Sequence, residues 1–263
     1  MARITGTQGN DRLWGSQGDD VIYGLGGDDR IIADLLPFDN RGGDDEVYAG
    51  PGNDQVFAFA GDNRIFGGDG NDTLTTADDD DFIDAGAGAD DVQSGRGHDQ
   101  VLGGVGNDAL RGGENEDRVD GGPDDDRVIG GSGSDTLFGG TGADTLEGRD
   151  DKDLLTGGPD ADRFRFGSAA ESPVGGSRDV ILDFTDIDRI DLSAIDPSSL
   201  SGDQALVWLG QSAGAAPVAS GAVRALDQGS IVIVQANTDA DAAIDMAIEL
   251  HFAGTLVQDY FLL

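Results

Sequence analysis

Aspartate recurs in this sequence with a period of nine residues, usually after a group of glycines. The segment from Gly139 to Glu147 shows the unit clearly: it reads Gly-Gly-Thr-Gly-Ala-Asp-Thr-Leu-Glu, with Asp144 at the sixth position. Carboxylates and backbone carbonyls supply oxygen ligands, and they supply neither nitrogen nor sulfur. Hard oxygen ligands favour calcium over zinc or copper, and magnesium is disfavoured because it gives up its water reluctantly. The repeat therefore predicts a series of calcium sites.

The nine-residue register runs from Gly6 to Arg165 with one insert at 33–39, which gives 17 units. The sixth position is aspartate in every unit except the one that contains Asn63, and the eighth position is always apolar. Turn preference alone explains aspartate in a loop, but not its constant phase with glycine. The aspartates predicted to be metal ligands are Asp11, Asp20, Asp29, Asp45, Asp54, Asp72, Asp81, Asp90, Asp99, Asp108, Asp117, Asp126, Asp135, Asp144, Asp153 and Asp162.

The last three residues of each unit predict a short strand whose eighth-position side chain faces inwards. The first six residues predict a turn, because glycine supplies the positive φ angles that tight turns require. Two units would form one coil of 18 residues. Successive coils would stack into two parallel sheets around a thin core, which places the whole repeat in the all-β class as a solenoid.

Stacked turns would bring the carboxylates close to backbone carbonyls, which stay accessible where glycine occupies the second and fourth positions. The glycines predicted to contribute are Gly86, Gly88, Gly95, Gly97, Gly104, Gly106, Gly131, Gly133, Gly140 and Gly142. Neighbouring turns could hold at most about 15 calcium ions, whose positive charge would nearly offset the net charge of −36. Calcium is therefore the expected cofactor.

The predicted sites are not equivalent. Asn63 should weaken one site, and the insert should interrupt turn stacking near Asp29 and Asp45. The best candidates are Asp90, Asp99, Asp108, Asp135 and Asp144. Turns with Asp or Asn in place of the fourth-position glycine are suspect, and these contain Asp79, Asn115, Asp124, Asp151 and Asp160.

Composition excludes several classes of function. With 52 acidic and 16 basic residues, the surface should repel nucleic acid and anionic membranes. The chain has no cysteine for disulfides or thiolate metal sites, and no apolar run as long as a membrane span. Residues 1–5 lack the apolar core of a cleaved secretory signal. His98 and His251 have no partner at metal-ligand spacing, and no catalytic motif occurs, so we do not expect an enzyme.

Large apolar residues occupy the ninth position of the first six units. In the two-sheet arrangement, Trp14, Ile32 and Phe57 would form a ladder outside one sheet, and Tyr23, Tyr48 and Phe66 outside the other. These ladders either stabilise neighbouring strands or form a contact surface for a protein partner. Seventh-position arginines fall on adjacent strands of one sheet only at Arg12 and Arg30, which favours a solvated face over a polyanion track.

The region after Arg165 predicts a β-sandwich-like cap over 166–263. Its strand-like segments are Asp179–Phe184, Asp188–Leu192, Ala205–Leu209, Val218–Leu226 and Ile231–Gln235, whereas Asp241–Leu250 fits either a strand or a short helix. A cap of this kind would cover the last coil of the solenoid, as repeat proteins require.

The nonapeptide resembles the calcium-binding repeat of RTX (hemolysin-type) proteins. The segments Asp162–Phe166, Glu171–Ser172, Asp179–Phe184 and Asp188–Asp196 resemble the C-terminal region of serralysin-type secreted metalloproteases. The resemblance implies a right-handed parallel β-roll over 1–165, loaded with calcium, and export through a type I secretion transporter directed by the C-terminus. It also implies an extracellular location. Asn237, Asp239, Asp241 and Asp245 resemble a further acidic loop of the family, but Ala242 replaces its glycine.

Three functions remain open at this stage. The leading one is a non-enzymatic, extracellular calcium-binding module that folds when it meets calcium after secretion. The second is the export and folding domain of a larger secreted hydrolase, a metalloprotease or lipase, which would dock on the N-terminal aromatic face. The third is a carbohydrate or cell-surface binding module in which calcium bridges an anionic glycan.

Overall fold

The computed structural model of the chain describes residues 1–34, 42–195, 206–212, 219, 221–239, 243–252 and 254–263. Within these residues, two large sheets face each other. The first sheet contains β1 (Arg3–Thr5), β3 (Val21–Tyr23), β5 (Glu46–Pro51), β7 (Arg64–Asp69), β9 (Phe82–Ala87), β11 (Gln100–Val105), β13 (Arg118–Pro123), β15 (Thr136–Thr141), β17 (Leu154–Thr156), β19 (Val180–Ile181), β21 (Val207–Ser212), β22 (Ala222–Asp227), β23 (Ile231–Asn237) and β24 (Met246–His251). The second sheet contains β2 (Arg12–Trp14), β4 (Arg30–Ile32), β6 (Gln55–Phe57), β8 (Thr73–Thr75), β10 (Asp91–Arg96), β12 (Ala109–Glu114), β14 (Arg127–Ser132), β16 (Thr145–Asp150), β18 (Arg163–Arg165), β20 (Arg189–Asp191) and β25 (Phe261–Leu262).

From β1 to β20, consecutive strands alternate between the two sheets, so that each coil contributes one strand to each. Neighbouring strands from β1 to β20 run parallel, and Val92 of β10 pairs with Leu110 of β12, 18 residues further on. The predicted all-β fold, a two-sheet parallel β-roll of 18-residue coils, is therefore confirmed.

The eighth-position side chains form the core between the two sheets. All of them are buried, and most have no exposed surface: they are Leu13, Ile22, Ile31, Val47, Val56, Ile65, Leu74, Ile83, Val92, Val101, Leu110, Val119, Val128, Leu137, Leu146, Leu155 and Phe164. Burying one such side chain fully contributes about 1.5–3 kcal/mol. Each coil buries two such side chains, so each coil adds a similar free energy of burial to the core.

Most strands in the middle of the roll are six residues long, whereas the sequence predicted three. β11, for example, continues past Leu102 through Gly103 and Gly104 to Val105. Gly104 pairs with Gly86 of β9, although its φ is +104°. The second-position glycines therefore bend each strand and still take part in the ladder.

We expect the substitution Gly122→Ala to destabilise the roll strongly. Gly122 has a φ of +110°, and an added methyl group would lie 2.2 Å from the carbonyl oxygen of Gly104. The left-handed conformation alone costs an ordinary residue about 1–3 kcal/mol, and the steric clash adds to that cost. Urea unfolding in saturating calcium measures the effect. Gly176→Ala is the control, because nothing lies within 4 Å of a methyl group there; equal stability of the two variants would contradict the expectation.

The insert does not break the stack. The Ala33 amide donates to the Phe57 carbonyl at 2.8 Å, as the Gly15 amide does to the Ile32 carbonyl. Ala33 and Asp34 therefore remain in a stacked turn, whereas the sequence placed both in the insert; its residues 35–39 lie outside the described residues. Ile22 pairs with Val47, so the register is kept across the extra residues.

The expectation that stacking is interrupted near Asp29 and Asp45 is wrong. The Asp29 amide donates to Oδ1 of Asp54, and the Asp20 amide donates to Oδ1 of Asp45, both at 2.7 Å. The ladder survives because the residues on both sides of the insert hold equivalent positions in successive coils.

The C-terminal strands continue both sheets. β19 and β20 add parallel strands next to β17 and β18, and β24, β23 and β22 then follow in the first sheet. The β22–β23 and β23–β24 pairs are antiparallel. The segment for which strand and helix were both open forms β24, but Asp241 and Ala242, like Ala205 and Val218, lie outside the described residues. The division of the chain at 165/166 stays a prediction.

The N-terminal aromatic residues form the ladders that the repeat predicted. Tyr23 stacks on Tyr48 at 5.1 Å between ring centroids, and Tyr48 stacks on Phe66 at 4.9 Å. On the second sheet, Trp14 pairs with Ile32, and Ile32 with Phe57. Stacking covers the faces of the Tyr48 ring, which favours the cross-strand explanation for the first ladder.

Candidate calcium sites

The sixth-position aspartates line up in two columns, one along each row of turns. In each column, one carboxylate oxygen accepts the backbone amide of the equivalent residue in the preceding coil. The Asp90 amide donates to Oδ1 of Asp108, and the Asp108 amide donates to Oδ1 of Asp126, both at 2.8 Å. The predicted stacking of carboxylates from successive turns is thus present in the fold.

The second carboxylate oxygen, Oδ2, is buried in most of these residues and has no hydrogen-bond partner. A buried polar atom without a partner carries an uncompensated desolvation cost. Among the described residues, this holds for Oδ2 of Asp29, Asp45, Asp54, Asp72, Asp81, Asp90, Asp99, Asp108, Asp117, Asp126, Asp135, Asp144, Asp153, Asp162 and Asp179. A bound cation would satisfy such atoms.

Without a cation, the ionised form of these carboxylates is unfavourable. Burial, reinforced by neighbouring carboxylates, raises the pKa of Asp72 to about 7 and the pKa of Asp126 to about 8. Burial also raises the pKa of Asp90. Desolvation and like charges both disfavour the ionised form, whereas a positive ion beside Oδ2 would favour it. The columns are therefore suited to a divalent cation at neutral pH.

Backbone carbonyl oxygens lie near the unpartnered carboxylate oxygens. A methyl group built on Gly103 would lie 2.5 Å from both Oδ2 of Asp108 and the carbonyl oxygen of Gly121, so oxygens from two successive coils face the same glycine. The carbonyls of Gly86 and Gly88 instead point along the stack towards Gly104 and Gly106. First-position carbonyls such as that of Gly121 were not among the predicted ligands, and the second- and fourth-position glycines stay predictions.

No group of three or more histidine, cysteine, aspartate or glutamate side chains converges on a metal position in the described part of the chain. A cation in the columns would therefore combine carboxylate oxygens with backbone carbonyls. Calcium accepts this mixture, because it takes six to eight oxygen ligands in flexible geometry. The residues present fit calcium in their chemistry, while the identity of each ligand stays a prediction.

The first aspartate of each column differs from the others. Oδ2 of Asp11 accepts the amide and hydroxyl of Thr7, and Oδ2 of Asp20 accepts the amide and hydroxyl of Ser16. Burial alone would raise the pKa of Asp20, but hydrogen bonds from Ala2 and Ser16 lower it overall. Thr7 and Ser16 replace the second-position glycine, so the protein itself satisfies these two predicted ligands.

Asn63 keeps its place in the ladder but removes the unpartnered oxygen. Its Oδ1 accepts the Asp45 amide at 3.1 Å. Its Nδ2 donates to the Gly61 carbonyl at 2.8 Å and to Oδ1 of Asp81 at 3.0 Å. An amide donor therefore occupies the position at which other units present a carboxylate oxygen. The weakened calcium site expected there stays a prediction.

We expect Asn63→Asp to bind one more calcium ion than the parent chain. The new carboxylate would face Oδ1 of Asp81 and the Gly61 carbonyl with no donor between them, so a cation should replace the lost amide. Counting bound ions by native mass spectrometry measures the change. Asn71→Asp is the control, because it adds the same charge at an exposed position. An unchanged ion count in Asn63→Asp would contradict the expectation.

The suspect turns keep the common shape. The residue at the fourth position of each suspect turn has a positive φ angle, as the glycine does elsewhere. The values are +74° for Asp79, +81° for Asn115, +79° for Asp124, +79° for Asp151 and +82° for Asp160. Aspartate and asparagine tolerate this conformation better than other non-glycine residues. Oδ2 of the sixth-position aspartate in each of these turns remains buried and unpartnered.

The aspartate columns extend beyond the predicted repeat. The Asp153 amide donates to Oδ1 of Asp179 at 2.9 Å, and the Asp162 amide donates to Oδ1 of Asp188 at 3.0 Å. Burial, together with the charge of Asp153, raises the pKa of Asp179 to about 9. The nine-residue spacing between Asp179 and Asp188, each followed by an apolar residue two positions later, was the signal that sequence analysis missed.

A second ladder of polar side chains runs along the outside of the turns at the fifth position. Oδ1 of Asn10 accepts the Asp28 amide at 3.0 Å, and Oδ1 of Asp28 accepts the Asn53 amide at 2.9 Å. Each of these oxygens accepts a backbone amide of the following coil, whereas Oδ1 of a sixth-position aspartate accepts an amide of the preceding coil. These residues are exposed, so they tie the turns together without forming a buried site.

Comparison with known proteins gives a family match. The model described as "RTX calcium-binding nonapeptide repeat (4 copies)" matches residues 3–35, 40–74, 67–101, 93–128, 102–137 and 129–164, more than half of the chain. Among curated proteins, the comparison finds no relative. No helix in the described part of the chain is long and apolar enough to span a membrane.

Two solved structures are similar to the chain over part of its length. The AlgE6R3 subunit of the Azotobacter vinelandii mannuronan C5-epimerase is 30% identical, covers 57% of this chain and 78% of its own, and has a TM-score of 0.41. The AlgE6R2 subunit of the same enzyme is 27% identical, covers 63% of this chain and 87% of its own, and has a TM-score of 0.39.

Proposed function

Because the chain belongs to the RTX calcium-binding nonapeptide repeat family, we propose that it is an extracellular calcium-binding module whose roll forms as calcium binds. One observation carries the proposal: Oδ2 of Asp90, Asp108 and Asp126, like that of their equivalents, is buried without a partner. Calcium supplies the positive charge that these oxygens lack. The chain itself supplies the stacked amides that hold Oδ1 and so orient each carboxylate.

The net charge supports coupling between calcium and folding. A chain with a net charge of −36 repels itself when no cation is bound. In the absence of calcium, the buried carboxylates would need protons to enter the roll, and the chain would remain disordered and suitable for export. Outside the cell, the free energy of binding becomes free energy of folding. The module is then a rigid scaffold that calcium switches on.

Isothermal titration calorimetry at pH 7.5 tests the binding part of this proposal. We expect several calcium ions to bind, with dissociation constants of about 10⁻⁴ to 10⁻³ M, the range of extracellular calcium modules. Magnesium at the same concentrations is the control and should bind weakly, since it holds its water and requires stricter octahedral geometry. Absence of calcium binding, or equal binding of both ions, would overturn the proposal.

We propose that the module has no catalytic activity of its own. His98 is exposed, and its Nδ1 lies 3.2 Å from the Glu116 carbonyl; Nε2 of His251 lies 3.5 Å from a carboxylate oxygen of Glu249. Both contacts resemble ordinary surface interactions. The carboxylates in the turns accept backbone amides of neighbouring coils and are buried. These carboxylates are therefore poorly placed for acid–base catalysis on a substrate.

Export through a type I secretion transporter is proposed from the resemblance of the C-terminal region to serralysin-type proteases. Co-expression of the full chain with such a transporter, with calcium in the medium, tests this. We expect the chain in the medium when the transporter is intact and inside the cell when its ATPase is inactivated. Equal amounts in the medium under both conditions would remove this route.

The alternative role, as the export and folding domain of a larger secreted hydrolase, relies on the N-terminal aromatic face. Trp14 is 52% exposed at the end of the second sheet, next to Ile32 in the register. An apolar surface of this kind favours a protein partner. The reading frame upstream of Met1 tests this role: a catalytic domain encoded in frame supports it, and a stop codon in frame removes it.

A groove on the second sheet favours a further candidate, binding of an acidic glycan. The groove has a volume of about 710 Å³ and crosses strands β8 to β16, with the second-position glycines Gly95, Gly113 and Gly131 among the residues that line it. Polar side chains line it as well, among them Gln93, Arg96, Arg111, Glu114 and Arg149. Arg149 replaces the glycine of its unit at a φ of +81°, a strained conformation that clusters at ligand sites.

Arg149, which lines one end of this groove, belongs to a cluster of three arginines around one carboxylate. Glu147 is buried and bonds Arg127, Arg149 and Arg165 at 2.6, 3.2 and 3.1 Å. Because three guanidinium groups share one carboxylate, some of their N–H groups stay available to donate hydrogen bonds to an anionic ligand. In a glycan array with calcium, we expect binding of carboxylated or sulfated glycans that Arg111→Ala weakens and Arg118→Ala, on the first sheet, does not. Unchanged binding after Arg111→Ala would remove this candidate.

A further inference from the structure

Asp34 lies outside the sixth position of every repeat unit, yet it is only 3% exposed. Its Oδ2 accepts the amides of Phe59 at 2.8 Å and Ala60 at 3.2 Å. Its Oδ1 is buried and has no hydrogen-bond partner. An ionised carboxylate in this position carries the same unsatisfied oxygen as the repeat aspartates, although no repeat pattern selects it.

The surroundings of this oxygen resemble those of a repeat aspartate in one respect, although the glycine nearby holds the third position of its unit and not the first. A methyl group on Gly42 would lie 2.6 Å from Oδ1 of Asp34 and 2.5 Å from the Ala60 carbonyl oxygen. A methyl group on Gly67 would lie 2.6 Å from Oδ2 of Asp72 and 2.3 Å from the Ala85 carbonyl oxygen. In both cases the carbonyl belongs to the residue 18 positions after the glycine. A carboxylate oxygen and a carbonyl from the following coil thus face one glycine in each place.

A second unsatisfied carboxylate lies close by. Asp45 is 2% exposed, its Oδ2 is buried without a partner, and the charge of Asp34 acts on it unfavourably. Two buried negative groups without a counter-charge are costly, and a shared or adjacent cation would remove that cost. Among the described residues, no arginine or lysine pairs with Asp34. The combination points to a cation.

We propose that Asp34 Oδ1 and the Ala60 carbonyl oxygen form part of an additional calcium site, in the coil that carries the insert. This inference rests on the proposed function, because it assumes that calcium fills the equivalent positions of the roll. It goes beyond that function in assigning a ligand that the nonapeptide does not encode. Asp34 would then be joined to the next coil through a metal ion in addition to its hydrogen bonds to the Phe59 and Ala60 amides.

Native mass spectrometry at saturating calcium tests the assignment. We expect Asp34→Asn to bind one calcium ion fewer than the parent chain, since an amide donor would replace the unsatisfied oxygen, as at Asn63. Asp44→Asn is the matched control: it removes the same charge from an exposed neighbour whose Oδ1 accepts the Asp62 amide at 3.0 Å. This control should keep the parent ion count.

The outcomes separate the two claims. Loss of one ion in Asp34→Asn alone supports the site, and equal ion counts in all three proteins overturn it while leaving the proposed function intact. A parent chain that binds no ions overturns both. If circular dichroism shows that Asp34→Asn does not fold in calcium, an anomalous difference map of the parent protein decides: density beside Asp34 Oδ1 supports the site, and density beside Asp72 but not Asp34 overturns it.

Discussion

Removal of calcium with excess chelator at pH 8 is expected to abolish most of the β structure of this protein. The physical reason is the double column of buried carboxylates, in which Oδ2 of Asp72, Asp90 and Asp108 has no partner of its own. Each ionised carboxylate is then an uncompensated buried charge, in a chain whose net charge with all its carboxylates ionised is −36. Far-ultraviolet circular dichroism during back-titration with calcium should then show a cooperative return of β structure. The expected midpoint is about 10⁻⁴ to 10⁻³ M calcium.

Salt and magnesium distinguish specific binding from simple screening. At about 1 M sodium chloride the Debye length is about 3 Å, so repulsion between exposed charges is largely removed. The buried oxygens are not reached by screening, and we expect neither sodium chloride nor magnesium to restore the fold. Full β structure in chelator, or full recovery in sodium chloride alone, would contradict the coupling of calcium to folding.

Acid is expected to replace calcium in part. In the folded chain, burial raises the pKa of Asp54, Asp72 and Asp126 to about 6, 7 and 8, whereas the ordinary value is 3.8. A raised pKa means that the calcium-free fold binds protons more tightly than the unfolded chain. The resulting stabilisation is fully present below pH 3.8 and is lost as the pH rises through about 6 to 8. In chelator, β structure should therefore increase as the pH falls from 9 to 4.

The affinity for calcium should show the opposite trend when the calcium titration is repeated at several pH values. Calcium and protons compete for the carboxylates, so calcium binding releases protons and its affinity falls as the pH is lowered. We therefore expect the calcium concentration at the folding midpoint to increase as the pH is lowered from 9 to 6. A calcium-free chain that loses β structure steadily on acidification, or a calcium midpoint independent of pH, would contradict the account of the buried carboxylates.

The sequence predicted the repeating part of this fold because one residue type decides each feature. Apolar residues such as Val101 and Leu110 fix the inward face, and Asp108 fixes the turn, so the pairing of coils follows from the spacing. The same regularity explains why the Tyr23–Tyr48–Phe66 ladder could be placed in advance.

The features that the sequence missed depend on contacts between coils. Nothing in the local pattern shows that Thr7 satisfies Asp11, because the same position is glycine in most units. Asp34 was assigned to the insert, since its place in a stacked turn shows only in contacts with the next coil, such as its bond to the Phe59 amide. Asp179 follows a gap in the register, and its place became clear from its contact with Asp153. Irregular residues therefore take their role from the neighbouring coil.

The most direct test is an anomalous difference map from crystals grown in calcium. The account predicts ordered ions within about 2.3–2.6 Å of the unpartnered carboxylate oxygens of Asp90, Asp108 and Asp126, the distance range of calcium–oxygen bonds. Each ion should also contact a carbonyl of an adjacent coil, such as that of Gly121. Turns that stack as described here but contain no ions beside these oxygens at saturating calcium would contradict it.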